Sequence, residues 1–245
     1  MKEILPILGL KEKLEKLVLR KEAKILWLVS MRSFHNKQEE DQRSASEILR
    51  SVFLAKKIGL WSELSKSDQE RIENCLGTEV FRNKFLNELV SLVREAQKPD
   101  QILSTFLAFR AFAIAKTADI GQKFPEQVKH NIQKLLETEN FRENWLKDIQ
   151  HDLQIVLSRQ EGYIGATQDV LESYALAFSS GYFLTLNIAD WDEIEKKISG
   201  KEFSRALIDL LTYALHVPEA IDLHLCLLNY LGTYLTLVER KTKKN

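Results

Sequence analysis

Residues 76–86 read LGTEVFRNKFL, and residues 136–146, 60 positions later, read LETENFRENWL. Six of the eleven positions are identical, and Phe85 is matched by another aromatic residue, Trp145. A weaker third copy follows after a further 62 positions, in residues 198–203, which read ISGKEF. Self-similarity at a near-constant spacing is typical of helical repeat proteins, so this segment sets the expectation for the whole fold.

Each copy has the features of a helix N-terminus. Thr78 and Thr138 are good N-cap residues, because the hydroxyl accepts a hydrogen bond from a backbone N–H that has no partner within the helix. Glu79 and Glu139 follow, where negative charge favours the positive end of the helix dipole. Gly200 takes the cap position in the third copy. The predicted amphipathic helices behind these caps span about 79–97, 139–160 and 201–216.

A second kind of segment lies between the caps. Residues 48–53, 102–107 and 170–175 resemble one another and precede the following cap by 30, 36 and 30 positions. The apolar segments and the caps thus recur together at a similar spacing. This recurrence predicts three units, each with a long apolar helix, a short amphipathic helix and a capped helix. The predicted apolar helices span about 46–58, 99–118 and 168–188. The predicted units span about 47–98, 99–166 and 167–217.

The rest of the chain is expected to complete one helical domain over residues 1–245. Its predicted parts are an N-terminal cap of one or two amphipathic helices (1–34), a polar loop (35–46) and a closing apolar helix (218–240). Pro125 and Pro218 are expected just inside helix starts, where the missing N–H does no harm.

Composition agrees with this plan. Glycine and proline together make up about 5% of the chain, too few for the many tight turns of a β-sandwich or barrel. Leucine occurs 38 times and valine 11 times, which favours helix over strand. We therefore expect an all-α protein of about ten helices without a β-sheet, built as an α-solenoid-like superhelix or bundle.

Charge and hydropathy exclude several classes of function. The formal net charge is zero, so the broad basic face of a dedicated nucleic-acid binder is not expected. The basic residues near the N-terminus and in the tail 239–244 are interpreted as solvated helix ends. The longest run without a charged residue or histidine, 173–189, is too short to span a membrane. Cys75 and Cys226 are interpreted as buried, reduced thiols, and the chain as cytoplasmic.

No catalytic, metal or cofactor site is predicted. The pair His151–Asp152, with His130 upstream and an aspartate downstream, has the residue order of helical metal-dependent phosphohydrolases. The pair lies inside a predicted helix, however, and its counterparts 60 positions earlier are Ser91 and Leu92. Scattered histidines and aspartates without a ligand spacing favour ordinary structural roles.

Two charged residues interrupt apolar helices and are the candidate binding residues. Arg110 lies between two apolar runs, and Glu172 lies within the third apolar segment. A buried charge without a partner is very costly, so each residue must reach a ligand, a partner side chain or solvent. The alternatives are contact with a ligand on a concave surface, pairing inside the protein, or extension of the side chain into water.

These features favour a non-enzymatic scaffold or adaptor that binds a protein or peptide partner, because stacked helices offer a long surface and no catalytic constellation is present. The alternative is a helical bundle that holds a small hydrophobic ligand or acts as an enzyme. The aromatic residues that would line its pocket are Phe106, Phe109, Phe112, Tyr174, Phe178, Tyr182 and Phe183.

Overall fold

The computed structural model describes residues 4–32, 44–98, 101–117 and 126–244. Within these ranges the chain forms twelve α-helices, two short 3₁₀ helices and no strand, which confirms the all-α class and corrects the expected count of ten helices. The α-helices are α1 (Ile4–Val18), α2 (Lys21–Arg32), α3 (Ala45–Lys57), α4 (Lys66–Leu76), α5 (Glu79–Ala96), α6 (Ile102–Thr117), α7 (Glu126–Leu136), α8 (Glu139–Ser158), α9 (Tyr163–Ser180), α10 (Ile188–Ile198), α11 (Lys201–His216) and α12 (Ile221–Lys244).

The predicted cap residues start the helices as expected. The Thr78 hydroxyl accepts a hydrogen bond from the Phe81 N–H at 3.2 Å, and the Thr138 hydroxyl accepts one from the Phe141 N–H at 3.4 Å. Gly200 precedes α11 without a side-chain bond. Each capped helix follows a helix of 11 residues, α4, α7 or α10.

The third apolar helix differs from its prediction of 168–188. Helix α9 begins at Tyr163, after Gly162, and ends at Ser180. Gly181 has a φ of 75°, a left-handed conformation that stops the helix and that residues with a Cβ rarely adopt. A 3₁₀ helix, Tyr182–Thr185, follows it. The apolar sequence therefore continues past the end of the helix at Gly181, and hydrophobic periodicity alone does not reveal that end.

Two connections also differ from expectation. Pro218 lies in a turn in which the Ala220 N–H donates to the Val217 carbonyl, and α12 begins only at Ile221. Of the predicted polar loop 35–46, the part up to residue 43 lies outside the described residues, and Ser44 already caps α3. Pro125 also lies outside the described residues.

Four helices from different parts of the chain form a closed ring of contacts. Helix α3 packs against α6, α6 against α9, and α9 against α12, and α12 returns to pack against α3. Helix α5 packs against α3 and α6, α8 against α6 and α9, and α11 against α8 and α9, while α1 packs against α11 and α12. One hydrophobic cluster runs from Ile7 in α1 to Leu237 in α12. The three-unit repeat stays a prediction within this bundle.

Helix α12 is the one helix in the described ranges that is long and apolar enough to cross a membrane. Half of its apolar window is buried inside the protein, against α1, α3 and α9. Burial of this kind is typical of a core helix, and a single helix that meets these criteria is weak support for a span.

Candidate binding site

A salt bridge between α3 and α9 lies inside the ring of four helices. The Arg50 guanidinium donates to both oxygens of the Glu172 carboxylate, from Nε at 2.7 Å and from Nη2 at 2.6 Å. The Glu172 side chain has no exposed surface, and that of Arg50 is 12% exposed. A bidentate arginine–carboxylate pair has the geometry that best compensates the burial of two charges.

Helix α12 contributes two side chains to this pair. Cys226 and Tyr230 are four residues apart, so they lie on one face of the helix. The Tyr230 hydroxyl donates to Glu172 at 3.3 Å, and Arg50 Nη2 lies 3.3 Å from the Cys226 sulfur. The carboxylate of Glu172 is thus held from two neighbouring helices.

The electrostatics match this geometry. Burial alone would raise the pKa of Glu172, but the positive charges of Arg50 and Arg110 hold it below its usual value. Burial, together with the negative charge of Glu172, raises the pKa of the Cys226 thiol well above its usual value. Glu172 is therefore ionised and Cys226 protonated at neutral pH, so the thiol is not an activated nucleophile.

Three aspartates lie close enough to influence one another beside this pair. Burial raises the pKa of Asp148 to about 8, with a further rise from the charges of Asp152 and Asp169. Burial also raises the pKa of Asp169 to about 6, and Asp152 and Glu172 add to the rise. Asp148 is therefore mainly protonated at neutral pH, while Asp169 is mainly ionised.

Arg110 lies on α6 at the edge of this polar region. Its Cζ atom is 5.2 Å from the centroid of the Phe106 ring, a cation–π distance. Its charge lowers the pKa of Asp169 and of Glu172, yet it forms no ion pair with any residue in the described ranges. Arg110 therefore retains hydrogen-bonding capacity that the described part of the protein leaves unused.

Arg110 also lines a groove of about 540 Å³ between α3, α5 and α6. The lining residues are Ser44, Ser46, Glu47, Glu88, Ser91, Leu92, Leu107 and Arg110. Glu88 accepts hydrogen bonds from the backbone N–H groups of Ala45 and Ser46, at 2.9 and 3.1 Å. Glu47 forms a capping box with Ser44. Both acidic side chains of the groove are thus hydrogen-bonded to backbone groups at the start of α3. Among the residues that line the groove, Arg110 is the one cation.

The two sequence-predicted binding residues therefore have different environments. Arg110 reaches a groove, whereas Glu172 is buried and paired inside the protein, which is one of the alternatives that the sequence left open. Within the described residues no group of histidine, cysteine, aspartate or glutamate side chains is arranged to hold a metal ion. His151 is exposed on α8, and Asp152 is partly buried beside Asp148.

Sequence reasoning missed Arg50, although a signal for it was present. Arg50 and Glu172 both occupy the third position of their resembling segments, 48–53 and 170–175. The corresponding residue of the middle segment, 102–107, is Ser104. Opposite charges at matching positions of two apolar helices are a reason to expect a pair if those helices pack together. The sequence does not show that α3 and α9 belong to the same ring of helices, so these opposite charges do not identify the pair by themselves.

Five of the seven aromatic residues considered for a ligand pocket pack in two groups of aromatic rings. Phe109 and Tyr182 lie 4.9 Å apart between ring centroids and both contact Trp145. Phe178 stacks on Phe183 at 5.5 Å. In the second group Tyr174 and Trp191 also stack, at 5.1 Å. The contacts between these rings do not favour a pocket that they would line.

The basic C-terminal tail has a structural role that the sequence interpretation missed. Glu195 on α10 is buried, and its carboxylate accepts hydrogen bonds from Arg240 and from the Trp191 indole, the latter at 3.1 Å. Lys241 lies 3.0 Å from the same carboxylate. Burial alone would raise the pKa of Glu195, but these cations lower it. Two residues interpreted as solvated thus fasten the end of α12 to α10.

No family model matches the chain, and no curated protein or solved structure matches it either.

Proposed function

We propose that this chain is a non-enzymatic cytoplasmic binding protein that takes up an acidic segment of a partner protein in the groove between α3, α5 and α6. The observation that carries the proposal is Arg110, a cation without an ion pair in the described residues that lines a groove of about 540 Å³. A carboxylate of the partner would form the charge-assisted hydrogen bonds that Arg110 does not make with any of the described residues.

The other walls of the groove suit a peptide. Leu92 and Leu107 supply apolar surface, and Ser46 and Ser91 supply hydroxyl groups. On α6, Leu103 is exposed and lies one helical turn before Leu107, which extends the apolar surface along the helix. A short segment with an acidic side chain next to an apolar one would complement both parts of this surface.

The helical repeat forms the scaffold in this proposal. The fourth position of the resembling segments 48–53, 102–107 and 170–175 supports it. That position holds Ser51, Thr105 and Ser173, and all three are buried polar residues. Buried hydroxyl residues at the same place in three apolar helices are consistent with three related units.

The test is selection of random peptides on a display library against the full chain. We expect enriched sequences that combine aspartate or glutamate with leucine, isoleucine or phenylalanine. Arg110→Gln should weaken their binding by about tenfold or more, because a hydrogen bond to a charged group is lost. Ser91→Phe should weaken binding by filling the groove.

Arg205→Gln is the matched control, because Arg205 is exposed on α11 away from the groove. Its affinity for the selected peptides should equal that of the unaltered chain. The proposal fails if no peptide is enriched, or if the enriched peptides bind Arg110→Gln and Ser91→Phe as tightly as the unaltered chain.

A further inference from the structure

The two N-terminal helices expose apolar side chains that the protein interior does not use. Helices α1 and α2 bury one face each, through residues such as Leu14 and Trp27. Five large apolar side chains on these helices, and Leu19 in the turn that joins them, are between 39% and 70% exposed. They are Leu5, Leu8, Leu19, Ile25, Leu26 and Val29. Isolated exposed leucines are ordinary, but six exposed large apolar side chains within residues 5–29 are a reason to expect a partner at these helices.

Unpaired cations accompany this apolar surface. Four exposed basic residues form no ion pair within the described ranges, namely Lys13, Lys16, Arg20 and Lys21. The exposed acidic residues of the same helices are Glu12 and Glu22, so an excess of two positive charges remains. On α2, Lys21, Ile25 and Val29 recur every four residues and therefore lie along one ridge of the helix.

We infer that the outward surface of α1 and α2 binds the surface of an anionic lipid membrane. Apolar side chains of a helix that lies in the interface insert among the acyl chains, and neighbouring lysine and arginine side chains contact the negative headgroups. The combination found here, with Lys21 on the same ridge as Ile25 and Val29, supplies both contributions from one helix face.

Charge argues against two other occupants of this surface. In a symmetric contact with a second copy, the same patch meets itself, so Lys13, Lys16, Arg20 and Lys21 of both copies would repel one another. A nucleic acid would neutralise the cations but leave Leu5, Leu19 and Ile25 exposed to water.

The experiment is co-sedimentation of the full chain with two kinds of vesicle, phosphatidylcholine alone and phosphatidylcholine with about a third of phosphatidylserine. We expect binding to the anionic vesicles to be at least about tenfold tighter, since each cation near the surface contributes roughly fivefold. Ile25→Ser/Val29→Ser and Arg20→Gln/Lys21→Gln should each weaken it by roughly tenfold or more.

The matched control is Leu184→Ser/Ile188→Ser, which removes two apolar side chains that are even more exposed than Ile25 and Val29, from the 3₁₀ helix Tyr182–Thr185 and the first residue of α10. This control should bind anionic vesicles like the unaltered chain. Equal binding to both vesicle types, absence of binding, or an equal loss in the control would overturn the inference. So would a dimer in sedimentation velocity that Ile25→Ser/Val29→Ser converts to a monomer. None of these outcomes depends on the groove at Arg110.

Discussion

At the scale of single residues, the pair Arg50–Glu172 brings together two positions 122 residues apart in the chain. Helix caps such as Thr78 follow from a few neighbouring residues, so they are predictable from the sequence. The partner of Glu172 depends on which helices share a ring, and no local pattern contains that information. The sequence therefore identified Glu172 as a residue that needs a partner without identifying Arg50.

Removing one member of this pair should destabilise the protein strongly. Glu172→Gln leaves the Arg50 charge buried without a counter-charge, and we expect the free energy of unfolding to fall by about 3–5 kcal/mol in urea titrations. The exposed pair Lys56–Glu73 is the comparison, because Glu73→Gln should cost at most about 1 kcal/mol. Equal costs for the two substitutions would contradict the structural role of the buried pair.

Asp148 should make stability depend on pH. Its pKa is about 8 in the folded protein, so the folded state binds a proton that the unfolded chain releases near pH 4. The free energy of unfolding therefore falls as pH rises from about 4 to about 8.

Asp148→Asn removes this dependence, because an amide does not ionise. We expect no gain in stability near pH 3 and a gain of roughly 2–4 kcal/mol above pH 8, measured by urea unfolding across this range. Asp192→Asn, at an exposed position, is the control and should change stability little at any pH. A gain for Asp148→Asn that is the same at pH 3 and pH 8 would show that ionisation is not its cause.

At the scale of elements, the starts of the three capped helices followed the sequence most closely. The starts of α5, α8 and α11 coincide with their predicted positions because a cap residue and its acidic neighbour mark them. The end of α9 was missed because apolar residues continue on both sides of Gly181, and hydrophobicity alone does not distinguish a helix from the 3₁₀ helix that follows.

Two glycines, one in the first turn of α9 and one directly after its last residue, should respond to alanine in opposite directions. Gly181→Ala places a Cβ on a residue with φ of 75°, so we expect a loss of about 1 kcal/mol in thermal or urea unfolding. Gly165 is exposed in the first turn of α9, where an added Cβ would have no neighbouring atom within 4 Å, so we expect Gly165→Ala to give a gain of up to about 1 kcal/mol. Two changes of the same sign would contradict the assigned end of α9.

The paired caps provide a second test at this scale. Thr78→Ala and Thr138→Ala each remove the hydroxyl that accepts an N–H at the start of a helix, and each should cost about 1 kcal/mol in unfolding experiments. Thr212→Ala, at an exposed position inside α11, should be neutral or slightly stabilising because alanine favours helix. A cost at Thr212 equal to that at the caps would refute the capping explanation.

At the scale of the whole molecule, the order of the helices along the chain was predictable, but the ring that α3, α6, α9 and α12 close was not. The repeated motif indicated the succession of short and capped helices, since each is specified by nearby residues. The contact of α12 with α3 joins residues far apart in the sequence, such as Ser51 and Asp222, which are 171 positions apart. The groove at Arg110 likewise depends on how α3, α5 and α6 meet, so the sequence could identify the residue but not its surroundings.

Because α3, α6, α9 and α12 form a closed ring of contacts, we expect the protein to unfold cooperatively. Of the four tryptophans, Trp27 and Trp61 pack edge to face with their ring centroids 6.4 Å apart, whereas Trp145 lies on α8 and Trp191 on α10. With 5-fluorotryptophan in place of tryptophan, we expect their four fluorine resonances to lose native intensity at one common urea concentration. Units that contact only their neighbours would instead permit separate transitions along the chain. Distinct midpoints for Trp61 and Trp191 would therefore contradict a single cooperative bundle.

The return of α12 to α3 also limits how such a chain can evolve. An open row of helical units gains length by gene duplication, because each added unit finds a free end to stack on. Here α12 already packs against α3, so the face on which an added helix would stack is covered. Any lengthening at this point must break that junction and rebuild both faces, so the closed ring disfavours growth by duplication.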